Sequence, residues 1–155
     1  MSLDGIINKH VVYVYDNEWK YEAWYKSADR IVYKIHSGPM GGRDNFQECS
    51  MRQIREDIYM ISWIEETGTV VTTVVDFGES RVHSYINFSH GHWAQPEIAH
   101  GHYRKEAWRE LAKVDGSRGE TLTTGRKVVS ESATIVEVFE GRGELEDVDP
   151  AAPTL

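Results

Sequence analysis

Residues 10–26, HVVYVYDNEWKYEAWYK, read as two strands and the turn that joins them. His10 to Tyr15 is β-branched and aromatic, Asp16-Asn17-Glu18 supplies turn chemistry, and Trp19 to Lys26 alternates large apolar with polar side chains. The signature repeats downstream. After a Ser27-Ala28-Asp29 turn, Arg30 to Ser37 (RIVYKIHS) alternates again, and Gly38-Pro39-Met40-Gly41-Gly42 reads as a loop. Further strands are expected over 45–53, 58–64, 69–77 and 81–88. Short strands at this spacing predict an antiparallel meander, closed as a barrel or packed as a sandwich. Apolar groups on both faces of several strands favour a barrel with a lined interior. Beyond it, a helix is expected over 103–114, with Ala107, Trp108, Leu111 and Ala112 as its apolar stripe. A polar, glycine-rich loop is expected over 115–127, and a strand over 128–140 that could close the barrel. The acidic, proline-containing stretch 141–155 predicts a flexible tail after a single barrel domain of residues 1–140.

Composition narrows the function classes. The chain has 155 residues, 40% of them hydrophobic, with 25 acids against 17 bases and a formal charge of -8. A mean hydropathy of -0.51 and a pI near 5.3 fit one water-soluble domain. A nucleic-acid partner is not expected, because such binders gain most of their affinity from clustered Lys and Arg. No apolar run approaches the roughly 20 residues of a spanning helix, so no membrane partner is expected either. Met1-Ser2-Leu3-Asp4-Gly5 lacks the pattern of a signal peptide, and the single Cys49 cannot form an internal disulfide. A reducing cytoplasm is the expected location. Eight tyrosines and five tryptophans suit a pocket lined with rings.

Strand alternation puts Tyr13 and Tyr15 on one face, either as two barrel aromatics or as two phenols aimed at one anionic oxygen. Arg43 follows the glycine loop, where an exposed arginine is the ordinary case and a buried one needs a partner. Glu65 follows Tyr59, Ile61 and Trp63 in phase. It is either an exposed strand end or, if that face points inward, a carboxyl among rings able to donate a proton near neutral pH. By the same alternation Glu66 should point outward. His90-Gly91-His92 and His100-Gly101-His102 carry the His-x-His spacing that metal sites use, although single matches are common by chance.

Taken in order, HVVYVYDNEWKYE, RIVYKIHSGPMGGR and YMISWIEETGT resemble the phenolic acid decarboxylases of bacteria and fungi. That pattern has an opening Tyr-x-Tyr strand, Asn-Gly-Trp-x-Tyr-Glu, a Tyr-x-Ile-His-Ser-Gly strand running into Gly-Arg, and Ser-Trp-Thr-Glu-Pro-Thr-Gly-Thr. The resemblance is close over residues 8 to 75 and thinner to residue 98, where Gln95-Pro96-Glu97-Ile98 looks like the family's His-Pro-Glu-Ile. It implies a mainly-β, antiparallel lipocalin-like (calycin-type) β-barrel with one or two flanking helices, usually a homodimer. It also implies conversion of 4-hydroxycinnamic acids to 4-vinylphenols with no cofactor. Carried over by position, its pocket tyrosines fall on Tyr13 and Tyr15, its arginine on Arg43 and its glutamate on Glu65. Substrate-binding positions are expected at Trp19, Tyr21, Ile35, Trp63 and Thr67. A proton from Glu65, Arg43 at the carboxylate and Tyr13/Tyr15 at the phenolate would meet the needs of the reaction. The reverse substrate orientation stays open.

Three departures touch the pocket rim. Asp44 follows Arg43 where the family has Trp, Glu66 replaces the proline after the glutamate, and Asn87-Phe88-Ser89-His90-Gly91 replaces Phe-Phe-Pro-x-Trp. Two other functions remain open on this basis. One is a lipocalin-like protein that binds a small aromatic ligand. The other is a related barrel enzyme acting on a different unsaturated acid, with metal at the His-x-His segments.

Overall fold

The computed structural model describes residues 1–114, 116 and 124–155. Its strands are β1 (Lys9–Tyr15), β2 (Lys20–Ser27), β3 (Arg30–Ile35), β4 (Arg43–Glu48), β5 (Ser50–Arg55), β6 (Ile58–Ile64), β7 (Val70–Asp76), β8 (Arg81–Phe88), β9 (Gly101–His102) and β10 (Lys127–Glu140). They form one sheet in the order β5-β6-β7-β8-β10-β1-β2-β3-β4-β9. The long β10 unites two meanders, since its first half pairs antiparallel with β8 and its second half with β1. The end strands of this order are not laddered to each other. Instead the sheet curls until β4 faces the end of β6, and side chains span the seam, as when Glu66 accepts from Asn45 and Gln47 of β4. This is the expected mainly-β, lipocalin-like architecture, open along one seam.

Pleat alternation sends Tyr13 and Tyr15 of β1, Tyr21 and Ala23 of β2, and Tyr33 and Ile35 of β3 into the interior, where all are buried. Trp63 of β6 and Val71 of β7 meet them from the opposite wall. Among the described residues, no helix is long and apolar enough to cross a membrane.

Several local expectations change. The strand expected over 45–53 is broken at Cys49, whose N–H donates to Asp29 O at 2.9 Å, and β5 turns away to pair with β6. The helix expected over 103–114 is shorter, α2 (Lys105–Arg109) followed by a 3-10 turn at Glu110–Lys113. His90-Gly91-His92 does not lie on a strand. Ser89 accepts from the His92 N–H at 3.3 Å and caps a short helix, α1 (His90–Ala94). β9 pairs parallel with β4 and had no signal in so short a run. Most of the loop expected over 115–127 lies outside the described residues.

The segment 141–155 is seated on the barrel, contrary to the flexible tail its composition suggests. Leu145 and Val148 are buried with Trp24, Val32 and Phe46, Lys26 pairs with Asp147 at 2.7 Å, and Arg30 donates to Pro150 O at 2.9 Å. Two apolar anchors in a polar stretch suffice, because each fills a hollow already bounded by rings.

Candidate active site

The inner face lines a cavity whose two ends differ in chemistry. At one end the rings of Tyr13 and Tyr15 pack against Tyr21 with centroids 5.1–6.0 Å apart, and Tyr21 continues toward Glu65 and Arg43, whose charges act on its phenol. There the Tyr15 hydroxyl bonds Ser84 Oγ at 2.6 Å, and Ser84 is the register partner of Thr73. At the other end stand Trp63, Glu65, Thr69 and His92. Thr69 and Thr73 are four residues apart along one chain, about 13 Å at the usual strand rise of ~3.3 Å per residue. Ala23, Ile31, Val71 and Ile86 form the apolar wall between.

Burial keeps the tyrosines as neutral donors. It pushes the Tyr15 phenol up to about 12, against the lowering effect of its bonds to Ser84 and Tyr13. Tyr13 and Tyr21 lie well above the ordinary phenol value, again chiefly through burial.

Glu65 lies just past β6, in a turn closed by its own N–H on Thr69 O at 2.8 Å and by the Gly68 N–H on its carbonyl at 2.8 Å. Gly68 has φ +84°, a conformation glycine adopts without strain. Oε1 of Glu65 accepts from the Tyr33 hydroxyl and from Trp63 Nε1 at 3.4 Å. Oε2 accepts from Thr67 Oγ1 at 3.3 Å and Arg43 Nη2 at 3.4 Å, with His92 Nδ1 at 3.8 Å. Four donors thus fix one buried carboxyl at the cavity wall.

The turn that places Glu65 inward also turns Glu66 inward, because strand alternation has ended at Ile64. The outward Glu66 expected from the sequence is therefore corrected. Its side chain is fully buried and accepts from Arg43 Nη2 (2.9 Å), Asn45 Nδ2 (2.8 Å), Gln47 Nε2 (2.8 Å) and Lys105 Nζ (3.1 Å). Burial alone would raise the Glu66 pKa, but Arg43, Lys105 and the Gln47 bond hold it below the ordinary carboxylate value. Burial also draws the Lys105 ammonium down, and Glu66 only partly offsets this. The three other donors keep Glu66 ionised whichever way Lys105 leans.

A model of the phenolic acid decarboxylase (PAD) family matches residues 3–154. The chain belongs to this family. Over 97 residues, 62% of this chain, it is 37% identical to phenolic acid decarboxylase PadC of Bacillus subtilis (strain 168), covering 60% of that protein. Over another 97-residue match it is 36% identical to a Vibrio cholerae serotype O1 protein named "Probable phenolic acid decarboxylase", covering 56% of it. The matched region thus spans less than two thirds of either relative. A crystal structure of a Burkholderia vietnamiensis protein that carries the name beta-lactamase superposes with a TM-score of 0.56 at 15% identity, over 87% of this chain and 97% of that one. At that identity the likeness concerns the fold alone.

Of the positions carried over from the family, Tyr13, Tyr15, Tyr21, Trp63 and Glu65 line the cavity. Arg43 does not. It is buried behind Glu65, stacked with Cζ 4.0 Å from the Trp108 ring, and it donates to Ala99 O at 3.2 Å as well as to both glutamates. Burial opposes its charge, but Tyr33, Glu65 and Glu66 raise its pKa above the ordinary value. Its described partners are thus Glu65, Glu66, Ala99 O and the Trp108 ring. Asp44, adjacent to Arg43, faces the other way and pairs with His102 at 3.0 Å. Ile35 and Thr67 are buried beside the cavity without lining it, and Trp19 lies over the Gly38 loop, where an added Cβ would come within 2.6 Å of the indole.

Sequence reasoning missed Tyr33, Asn45, Gln47, Lys105, Thr69 and Ser84, and singled out His92 only for its His-x-His spacing. Tyr33 had a signal, since it shares a face with Ile31 and Ile35. The four histidines of the two His-x-His segments scatter. His90 bonds Gly125 O, His92 bonds Thr69, His100 bonds Pro39 O and His102 bonds Asp44. Among the described residues no cluster of three or more His, Cys, Asp or Glu is placed to hold a metal ion.

Proposed function

We propose that this chain decarboxylates 4-hydroxycinnamic acids (p-coumarate, ferulate, caffeate) to 4-vinylphenols without a cofactor, through a quinone-methide intermediate. A cytoplasmic homodimer belongs to the same reading. The observation that carries it is the cavity in which the Tyr13 and Tyr15 phenols stand away from a donor-wrapped carboxyl, Glu65, with Tyr21 and an apolar wall between. That arrangement suits a flat aromatic acid with an oxygen function at each end.

The para oxygen sits at Tyr13 and Tyr15, whose hydroxyls stabilise phenolate character. As the para hydroxyl releases its proton to solvent, Glu65 gives its own to the alkene carbon that bears the carboxylate, which converts the phenolate to a quinone methide. The C–CO₂ bond then breaks, its electron pair restores the aromatic phenolate, and the phenolate and Glu65 each take a proton from solvent. Arg43 positions Glu65 from behind. The electron sink is the substrate itself, so activity is expected to survive exhaustive chelation.

Incubation with p-coumarate, ferulate and caffeate, followed by cinnamate absorbance and chromatography of the vinylphenol, tests this directly. Turnover of at least one acid is expected, with Glu65→Gln losing most of it while still binding. No reaction, alongside tight binding of these acids, would overturn the enzyme reading in favour of a barrel that only binds them.

A further inference from the structure

His92 lies in α1, directly after the Asn87–Gly91 segment, and it is only 2% exposed. It lines the cavity beside Glu65, and its ring packs edge-on against Phe88 with centroids 5.2 Å apart. Its Nδ1 lies 2.7 Å from Thr69 Oγ1, and the same Oγ1 accepts the Ser89 N–H at 3.1 Å. The single proton of the Thr69 hydroxyl is then directed to His92 Nδ1, which acts as acceptor. Burial, with Arg43 and His100 adding to it, holds the imidazole pKa well below its ordinary value, so the ring is neutral. A neutral ring that accepts at Nδ1 carries its proton on Nε2. That Nε2 is buried and has no hydrogen-bond partner among the described residues.

We propose that His92 recognises the carboxylate of the substrate, its Nε2–H donating to a carboxylate oxygen at the Glu65 end of the cavity. This rests on the decarboxylase reading and on its orientation, with the phenol at the tyrosines. Arg43, the cation nearest this end, is held behind Glu65 by both glutamates, by Ala99 O and by the Trp108 ring. A neutral donor suits the reaction, because the carboxylate must leave as uncharged CO₂. A guanidinium in direct contact would hold the anion most firmly before the bond breaks, whereas a neutral N–H orients it with less ground-state stabilisation.

Binding is measured in a Glu65→Gln background, so that no substrate is consumed, by quenching of tryptophan emission with p-coumarate and with 4-vinylphenol. Adding His92→Phe, which keeps a planar ring and removes the donor, should weaken p-coumarate about 10- to 100-fold, the range for a hydrogen bond to a charged group. The affinity for 4-vinylphenol, which has no carboxylate, should not change. His92→Gln, which restores an N–H, should recover most of the loss. Thr69→Val frees the ring from the hydroxyl that fixes its tautomer and should show the same selective loss in smaller degree, so the test survives if His92→Phe does not fold. Unchanged p-coumarate affinity in these variants, or equal weakening of both ligands, overturns the assignment. Failure of the decarboxylase reading is visible separately, as the absence of vinylphenol from the wild-type protein.

Discussion

Glu66→Gln is the most informative stability probe in this molecule. The substitution keeps the shape of the side chain but turns one of its two acceptor oxygens into an NH₂ group. Arg43 and Asn45 donate to one oxygen of Glu66, and Gln47 and Lys105 to the other, at 2.8–3.1 Å. Whichever way the new amide turns, donors face donors, Lys105 loses the carboxylate it touches and Arg43 keeps only Glu65. Breaking a buried pair in this way costs about 3–5 kcal/mol. For a chain of this length the entropy of unfolding is about 0.33 kcal/mol per kelvin, so the melting midpoint should fall by about 9–15 °C. Glu110→Gln, which breaks an exposed pair with Lys113, should move it by about 1 °C. Calorimetry at pH 7 reads both. The pH dependence supplies a second check. Because the folded-state pKa of Glu66 lies below its ordinary value of 4.5, its contribution is complete above that pH and is lost as pH falls through the folded value. The gap between wild type and Glu66→Gln should therefore narrow below about pH 4.5. Adding Lys105→Met to Glu66→Gln should cost less than the sum of the single changes, since the two groups share one network. A Glu66→Gln protein as stable as wild type at pH 7 would refute the buried-cluster argument.

Arg43→Lys should lower kcat by about 100-fold through misplacement of Glu65, with little change in the Kd for p-coumarate. A loss confined to Kd would return Arg43 to the substrate carboxylate. Burial, with Asp29 nearby, pushes the Cys49 thiol up to about 12. Native protein at pH 8 should therefore react with a thiol reagent only on the timescale of unfolding, and prompt labelling would contradict that burial. His102, bridging Asp44 and Glu146 at 3.0 and 3.1 Å, has its pKa raised, first by the Asp44 bond. Its tether on the 141–155 segment should be complete below the ordinary imidazole value of 6.5 and weaken as pH rises through the folded value. Amide exchange around Glu146, corrected for intrinsic pH effects, should accordingly show more protection at pH 6 than at pH 8.5, and the reverse order would exclude the tether.

The parts of this molecule legible in its sequence are those governed by period two. HVVYVY and the alternation after Trp19 locate β1 and β2, and the same rule puts Tyr13, Tyr15 and Trp63 on the inner wall. The rule fails where a strand ends. Alternation stops at Ile64, and a turn through Gly68 brings both Glu65 and Glu66 inward, so the neighbour read as exposed is a buried carboxylate with four donors of its own. The His90-Gly91-His92 spacing brings no pair of imidazoles together, for a related reason. Ser89 caps a helical turn there, and helical geometry sends the two imidazoles apart. Arg43 was legible as a functional residue, but its distance from the cavity depends on Glu66, Trp108 and Ala99, which come from separate parts of the chain. Lys105 gave no signal at all, because only the folded chain brings it to Glu66.

The central claim is that Glu65 delivers a proton to the carbon that loses CO₂, and turnover of p-coumarate in D₂O tests it most directly. Exchange with solvent loads Glu65 with deuterium, and the alkene carbon that carried the carboxylate becomes the terminal carbon of the vinyl group. Proton NMR of the product should show a single deuterium on that terminal carbon, in step with p-coumarate consumed, and Glu65→Gln should yield almost none of it. No vinylphenol, undiminished product from Glu65→Gln, or a terminal carbon free of deuterium would contradict the account.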